Sequence, residues 1–235
     1  MLSKAISTST AAILALSSLA AAVPQMMAGR STPSLSSQLR QVDSAADRYP
    51  LLRDIDFVFN FTEHEPMMAN GKNFPALVGS GTAMAVAEIG PCGMAGLHVH
   101  PRSPELFIVI KGRVYTEMVP ESGVFSDSKG TQRVIRTELR PYQMTLFPMG
   151  SVHMQFNPDC VPSLTIASFT SEDPGVSLLV PEIFSLPTDF IANSLGGTIA
   201  GADIDHLKGI IPQAAIFNVE QCLKKCNIQK RAVEV

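Results

Sequence analysis

Short hydrophobic runs recur through the middle of the chain, each bounded by glycine, proline or polar residues. Apolar or alternating residues occupy eight runs: 57–61, 83–89, 106–110, 114–119, 133–139, 144–147, 153–156 and 164–169. Segments of this length and spacing, separated by turn residues such as Pro91-Cys92-Gly93 and Pro148-Met149-Gly150, are typical of antiparallel strands. The pattern therefore predicts one all-β barrel or sandwich domain over residues 54–180.

The flanks of this region follow other patterns. Residues 23–53 show little periodicity and begin with a stretch rich in Ser, Gln and Met, which predicts an extended or partly disordered arm. Residues 181–235 suggest two or three short helices near 190, at 204–207 and at 214–223, with Thr188 or Asp189 as a candidate N-cap. One barrel with two additions is therefore expected.

The first 22 residues read as a secretory signal. A single charge, Lys4, precedes an apolar stretch at 11–19 and the small residues Ala20-Ala21-Ala22, which fit an Ala-x-Ala cleavage site. The apolar stretch is shorter than the ~20 residues that a membrane span needs, and no later run is suitable. We predict a cleaved signal at 1–22 and a secreted, extracellular or cell-wall protein without a membrane span.

Composition narrows the function classes. Of 235 residues, 46% are hydrophobic and 17% are charged, and the formal net charge is −3. Nucleic-acid binding requires an excess of Lys and Arg that these figures exclude. The same figures exclude a wholly disordered chain.

In an oxidising compartment cysteines tend to form disulfides. Cys92, Cys160, Cys222 and Cys226 allow three pairings, and proximity along the chain favours Cys92–Cys160 with Cys222–Cys226. The second of these pairs would be strained in a regular helix, because Cβ atoms four residues apart are ~5–6 Å from each other, which is longer than a disulfide prefers. Asn60 lies in an Asn-Phe-Thr sequon and is a candidate for glycosylation.

Candidate metal ligands occur in two segments. His98 and His100 alternate along a predicted strand and so share one face, and the turn at 101–104 allows Glu105 to start the next strand beside them. Residues 148–157 supply a third imidazole, His153. Three of the five histidines thus have spacings that suit a metal site, which we favour over a role as ordinary core or surface residues. Three imidazoles and a carboxylate suit Mn²⁺, Fe²⁺, Ni²⁺, Cu²⁺ or Zn²⁺ without deciding among them.

These residues resemble the cupin family. His98, His100, Glu105 and Gly112 match its first motif, and Pro148, Gly150, His153 and Asn157 match its second. The fuller text, including residues 169–175, resembles the secreted germin-like and spherulin-like branch over about 54–223. Cys92 and Tyr142 stand where glycines usually open the two motifs, and both positions are expected in turns.

The resemblance implies a jelly-roll β-barrel with short C-terminal helices that clasp a neighbouring subunit, giving a homo-oligomer, a trimer or a hexamer. It also implies Mn²⁺ bound by His98, His100, Glu105 and His153. Some members oxidise oxalate and some act on superoxide. Oxalate-oxidising germins hold their substrate with asparagines on the strands before the histidines, whereas residues 79–90 contain none and Asn73 is the nearest candidate.

Three functions follow. The first is a manganese-dependent oxidoreductase that acts on O₂, superoxide or a small anionic substrate, with no catalytic residue separable from the metal ligands. The second is a non-enzymatic extracellular protein, wall-associated or related to stress or development. The third and weaker one is an enzyme of secondary metabolism, favoured by a wide apolar barrel mouth.

Several polar residues receive structural interpretations instead. We expect Arg102 to hold a turn in preference to attracting anions, and Asn157 to close the barrel by hydrogen bonds. His64 and His206 have no comparable context and are expected at the surface.

Overall fold

The computed structural model describes residues 32–212 and 215–229. The predicted signal at 1–22 and the first part of the arm, 23–31, lie outside the described residues. Within the described ranges, no helix is both long and apolar enough to cross a membrane.

Antiparallel strands form most of the described chain, as the all-β prediction requires. The strands are β1 (Met68–Ala69), β2 (Ala83–Ile89), β3 (Gly93–Val99), β4 (Glu105–Lys111), β5 (Val114–Val119), β6 (Ile135–Leu139), β7 (Met144–Phe147), β8 (Val152–Phe156), β9 (Ser163–Phe169), β10 (Ser177–Leu178) and β11 (Ile216–Asn218). The α-helices are α1 (Leu35–Leu39), α2 (Ala45–Arg48), α3 (Leu179–Phe184), α4 (Thr188–Ser194), α5 (Gly201–Ile210) and α6 (Glu220–Lys225).

Two sheets enclose the core. One has the order β1-β2-β9-β4-β7, and the other has the order β10-β3-β8-β5-β6 with β11 beside β3. Alternate residues of β4 and β5 point inward, so Phe107, Val109, Val114 and Met118 are buried together with Phe147. The result is a jelly-roll barrel, and the all-β fold prediction is confirmed.

The barrel has two distinct ends. At the end that we call the rim, β3, β7 and β9 finish and β2, β4 and β8 begin. At the other end, the base, β2 and β8 finish and β3 and β9 begin. The predicted metal ligands belong to the rim, and the turns that carry Cys92 and Cys160 belong to the base.

The run at 57–61 does not form the predicted strand. Short 3-10 helices span Asp54–Phe57 and Phe61–Glu63. The Arg53 amide donates to Asp56 Oδ2 at 2.8 Å, and the Thr62 amide donates to Asn60 Oδ1 at 3.2 Å. These local hydrogen bonds favour tight turns over an extended ladder.

The described part of the arm also differs from an extended segment. Ser34 and Ser44 cap α1 and α2, because each side-chain oxygen accepts a backbone N–H three residues later. Leu39 at the end of α1 is fully buried, and Arg40 forms an ion pair with Glu172 at 3.0 Å. Residues 34–51 therefore contain helices that contact the barrel.

The C-terminal segment contains more elements than the sequence predicts. Pro187 is the N-cap of α4, so Thr188 is its first residue and neither Thr188 nor Asp189 is the cap. The predicted helix at 214–223 is replaced by β11 and α6. The β-branched and aromatic residues Ile216 and Phe217 pair with β3, which favours a strand there.

The disulfides join Cys92 to Cys222 and Cys160 to Cys226, with Cα–Cα distances of 5.5 and 5.4 Å. The pairing by proximity, Cys92–Cys160 and Cys222–Cys226, was wrong. β11 runs along β3, and the Val219 amide donates to the Cys92 carbonyl at 2.9 Å, which brings α6 to the base. Cys222 and Cys226 lie four residues apart on one side of this helical segment. Each therefore reaches a cysteine in a different loop of the base more easily than it reaches the other.

Both departures from the motif glycines keep a glycine-like backbone. Cys92 has a φ of 57° and Tyr142 has a φ of 66°, in the left-handed region that side chains disfavour. A disulfide holds Cys92, and the Tyr142 amide donates to the Val109 carbonyl at 2.8 Å. Long-range bonds thus maintain turns that glycine would form more easily.

Asn157 closes the base, in agreement with its predicted role. Its fully buried Nδ2 donates to the carbonyl oxygens of Ile89, Gly90 and Val161 at 2.8–3.0 Å, and its Oδ1 accepts from the Asp159 amide at 2.9 Å. One side chain therefore joins the β2–β3 and β8–β9 turns.

We expect Asn157→Ala to lower the free energy of unfolding by roughly 2–4 kcal/mol, because buried carbonyl groups lose their donor. Chemical denaturation followed by circular dichroism measures the change. Asn193→Ala on the exposed surface of α4 is the control and should stay within about 0.5 kcal/mol. Equal effects of the two substitutions would contradict the closing role.

Candidate metal centre

Three elements bring the predicted ligands to the rim. His98 is on β3 and lies directly opposite His153 on β8, and His100 follows the last residue of β3. Glu105 opens β4 in the other sheet. The four side chains therefore meet between the two sheets.

The donor atoms of these four residues form a compact group. The Nε2 atoms of His100 and His153 lie 3.0 and 3.1 Å from Oε2 of Glu105. With one ring nitrogen of His98, they make four donor atoms that all lie within 4.8 Å of one another. All four residues are buried. Donors this close around one point can hold a single metal ion.

Backbone carbonyls orient all three imidazoles. Nδ1 of His98 lies 2.7 Å from the Gly96 oxygen, and Nδ1 of His153 lies 2.8 Å from the Ser151 oxygen. Nδ1 of His100 lies 2.6 Å from the Gly175 oxygen. A carbonyl only accepts, so each Nδ1 carries a proton and each Nε2 faces the centre of the group. There Nε2 donates to Glu105 when the imidazole is protonated, and it offers its lone pair to a metal when the imidazole is neutral. The donor set therefore fits a transition metal ion by both atom type and tautomer.

Two phenyl rings enclose the group. Phe147 stacks on His153 with a centroid distance of 4.2 Å, and Phe169 contacts His100 edge-on at 4.7 Å. Both phenylalanines are buried. They exclude water and thereby strengthen electrostatic interactions inside the site.

Burial and the shared carboxylate shift the pKa values in different directions. Desolvation, with the neighbouring His153, lowers the pKa of His98 from its ordinary 6.5 to about 4. For His100, desolvation is outweighed by the bond to Glu105, so its pKa is raised. Desolvation of Glu105 is likewise outweighed by the bonds from His100 and His153, so its pKa falls to about 2. Glu105 is therefore ionised at neutral pH.

A turn distant in sequence positions His100. The Gly175 carbonyl that accepts from His100 follows Asp173 and Pro174, and the Arg102 guanidinium holds this turn. Its Nε donates to the Asp173 carbonyl and its Nη2 to Asp173 Oδ1, both at 2.8 Å. Arg102 thus has the predicted structural role. Sequence reasoning missed Gly175, although it lies in the stretch 169–175 that carries the resemblance.

Other polar candidates lie apart from the metal ligands. Asn73 donates to the Met68 carbonyl at 2.7 Å in an exposed turn, so it is not available to a substrate at the site. His64 stacks on Phe59 at 4.3 Å, and His206 is exposed on α5. Asn60 is exposed in a loop, where its Nδ2 donates to Glu63 at 2.7 Å.

Comparison with known proteins decides the family. Residues 59–199, more than half of the chain, match the family model described as Cupin. The chain is a cupin. The cupin is 31% identical to spherulin-1A of Physarum polycephalum over 205 residues, covering 83% of this chain and 80% of that protein.

Germin-like proteins and an oxalate oxidase are also similar to this cupin. Germin-like protein subfamily 2 member 3 of Arabidopsis thaliana is 27% identical, covering 61% of this chain and 63% of that protein. A structure of oxalate oxidase in complex with the substrate analogue glycolate aligns with a TM-score of 0.52 at 21% identity, covering 71% of this chain and 82% of that chain. The structural likeness shows the fold, and the sequence relatives confirm the germin-like and spherulin-like resemblance.

We expect Arg102→Ala to weaken divalent metal binding about tenfold, because the Gly175 carbonyl loses its fixed position beside His100. Competition with a chromophoric chelator measures the dissociation constant. The control is Arg136→Ala, which removes an ion pair with Glu117 on the outer face of the barrel. Unchanged affinity in Arg102→Ala would show that the turn does not position the ligand.

In the metal-free protein, we expect the pKa of His98 to lie below the ordinary value for histidine and the pKa of His100 to lie above it. His98 should stay neutral down to about pH 4, while His100 should be half protonated above 6.5. The raised pKa of His100 stabilises the folded state fully below pH 6.5, and this stabilisation is lost as the pH rises through the raised pKa. The lowered pKa of His98 has the opposite effect, because the folded state loses stability as the pH falls from 6.5 towards 4. NMR titration of the imidazole carbon-bound protons checks both, and a single common pKa would contradict this prediction.

Proposed function

We propose that this cupin is a secreted oxidoreductase that binds manganese and acts on O₂, superoxide or a small anionic substrate. The observation that carries the proposal is that a backbone carbonyl lies beside Nδ1 of each of the three histidines. Three backbone carbonyls engage Nδ1, so three Nε2 atoms and the Glu105 carboxylate converge. A purely structural histidine cluster has no need of this arrangement.

His98, His100, Glu105 and His153 would hold the metal, which would supply Lewis acidity and one-electron chemistry. The single carboxylate leaves a divalent ion with net positive charge, which favours an anionic ligand at the remaining positions. Phe147 and Phe169 exclude water from the site. Within the part of the chain that the structure describes, no further side chain with acid–base chemistry forms a hydrogen bond with these ligands, so the metal ligands carry the chemistry.

Manganese is supported by the resemblance to germin-like proteins. The ligand types alone leave Fe²⁺, Ni²⁺, Cu²⁺ and Zn²⁺ as alternatives. Oxalate is the less supported substrate, because residues 79–90 contain no asparagine and Asn73 is engaged in its own turn. Superoxide and O₂ require no such anchoring side chains.

Two alternatives have specific support. The similarity to spherulin-1A and the near-complete burial of the four ligands favour a non-enzymatic wall-associated or stress-related protein, in which the metal stabilises the barrel. An apolar cavity near the rim favours an enzyme of secondary metabolism.

Secretion and assembly belong to the same proposal. Two disulfides support an oxidising compartment, and the exposed Asn60 is open to glycosylation. Large apolar side chains are exposed on the C-terminal helices, namely Ile183, Phe190 and Ile210. They support a homo-oligomer, a trimer or hexamer, in which these helices contact a neighbouring subunit.

We expect His153→Ala to lose bound metal and to lower any activity more than 100-fold, since even outer partners of metal ligands contribute about 10- to 100-fold. Elemental analysis, oxalate-dependent H₂O₂ release and superoxide loss are the measurements, and His206→Ala is the control.

Absence of metal from the wild-type protein would refute the assignment of the site. Bound metal without either activity, with His153→Ala affecting only stability, would favour the non-enzymatic alternative.

A further inference from the structure

The sulfur atoms of the two disulfides lie side by side at the base. Sγ of Cys92 lies 3.6 Å from Sγ of Cys226, although these cysteines belong to different disulfides. The sulfur atoms of Cys92, Cys222 and Cys226 all lie within 4.8 Å of one another. A thiolate released from one disulfide would therefore lie next to a sulfur atom of the other, which is the arrangement that thiol–disulfide exchange requires.

The two disulfides differ in their access to solvent. Cys160 is exposed and its partner Cys226 is half-buried. Cys92 is fully buried and its partner Cys222 is 8% exposed. Exchange with a thiol in solution requires access to a sulfur atom, so such a thiol attacks Sγ of Cys160, and the Cys92–Cys222 bond is protected. The leaving group of this attack is the Cys226 thiolate, which stays beside the buried disulfide.

The helical turn that precedes Cys226 decides which sulfur atom its thiolate attacks. The Cys226 amide donates to the Cys222 carbonyl at 2.9 Å, so these two cysteines are held at helical spacing. Cβ atoms at that spacing are ~5–6 Å from each other, which disfavours a disulfide between them. Cys92 is on a separate turn and has no such constraint. Once it is free of Cys160, the Cys226 side chain can rotate into line with the Cys92–Cys222 bond.

We propose that Cys160 is a site of covalent modification by small thiols and that Cys226 makes this modification persist. The thiolate of the small molecule forms a bond to Sγ of Cys160 and breaks the Cys160–Cys226 bond. The Cys226 thiolate then forms a bond to Sγ of Cys92 and breaks the Cys92–Cys222 bond. Cys222 leaves as a thiolate and takes up the proton that the small thiol lost. Two disulfide bonds break and two form, so the thiol is the sole co-reactant.

The base has contacts that accommodate these products. Sγ of Cys222 lies 3.5 Å from the Pro158 carbonyl, which can accept the S–H of the released thiol. The β8–β9 turn stays attached by other bonds, because the Cys92 amide donates to the Asp159 carbonyl at 3.1 Å and Arg113 Nη2 donates to Asp159 Oδ1 at 2.6 Å. The new disulfide still joins the end of α6 to the β2–β3 turn. The modification therefore changes the surface of the base without opening it.

The test incubates the full-length purified protein with reduced glutathione, blocks free thiols with N-ethylmaleimide at acidic pH and maps tryptic peptides by mass spectrometry. Trypsin cleaves at the two lysines between Cys222 and Cys226, so the disulfide isomers give different peptide pairs. We expect glutathione on Cys160, a Cys92–Cys226 disulfide and a blocked Cys222. Glutathione on Cys160 beside an intact Cys92–Cys222 bond would refute the exchange step. Glutathione on any other cysteine, or on none, would refute the assigned site.

Two variants isolate the role of Cys226. Cys160→Ser makes Cys226 a free thiol without any added glutathione, and we expect the purified variant to contain both the Cys92–Cys222 and the Cys92–Cys226 isomers. The matched control is the double variant Cys92→Ser/Cys222→Ser, in which the Cys226 thiolate can return only to Cys160. Glutathione retained on Cys160 should fall about tenfold there, because the adjacent thiolate expels it efficiently.

Equal retention of glutathione with and without the buried disulfide would contradict the role of Cys226. If the double variant does not fold, Cys160→Ser alone decides the question, since it keeps one disulfide. A free thiol confined to Cys226 in that variant would overturn the proposal.

Discussion

The buried carboxylate of Glu105 is the constraint on which the rest of the rim depends. An ionised group in an apolar interior is strongly unfavourable unless hydrogen bonds compensate for its lost hydration. Here two imidazoles from the opposite sheet provide them, at 3.0 and 3.1 Å. These imidazoles must in turn be held, and backbone carbonyls hold them. The rim is therefore organised from the carboxylate outward, and the spacing of the two sheets there suits these four side chains.

The position of Phe169 connects this centre to the surrounding apolar surface. Its backbone pairs β9 with β2 and β4, its ring contacts His100 at 4.7 Å, and the residue also lines the apolar cavity near the rim. The buried ring thereby keeps water away from the imidazole of His100.

Local sequence patterns predicted the parts of the fold that depend on local forces. β5 and β7 begin and end where the alternation of apolar residues indicated, and the motif spacing gave the four residues that converge at the rim. The strand predicted at 57–61 does not form, because side-chain hydrogen bonds in the turns outweigh the apolar character of the segment. The cysteine pairing and the contact between His100 and Gly175 join residues 66 to 130 positions apart, so no local pattern could reveal them.

The two disulfides give the barrel a mechanical asymmetry. Both link α6 covalently to turns at the base. Sγ of Cys92 lies only 3.6 Å from Sγ of Cys226, so the two disulfides are adjacent and form one cluster of four sulfur atoms. The β2–β3 and β8–β9 turns are both joined to α6, so they cannot move far apart unless a disulfide breaks. At the rim, only non-covalent contacts resist the same movement. On heating, local unfolding of the barrel therefore begins at the rim, which is the end that holds the histidines.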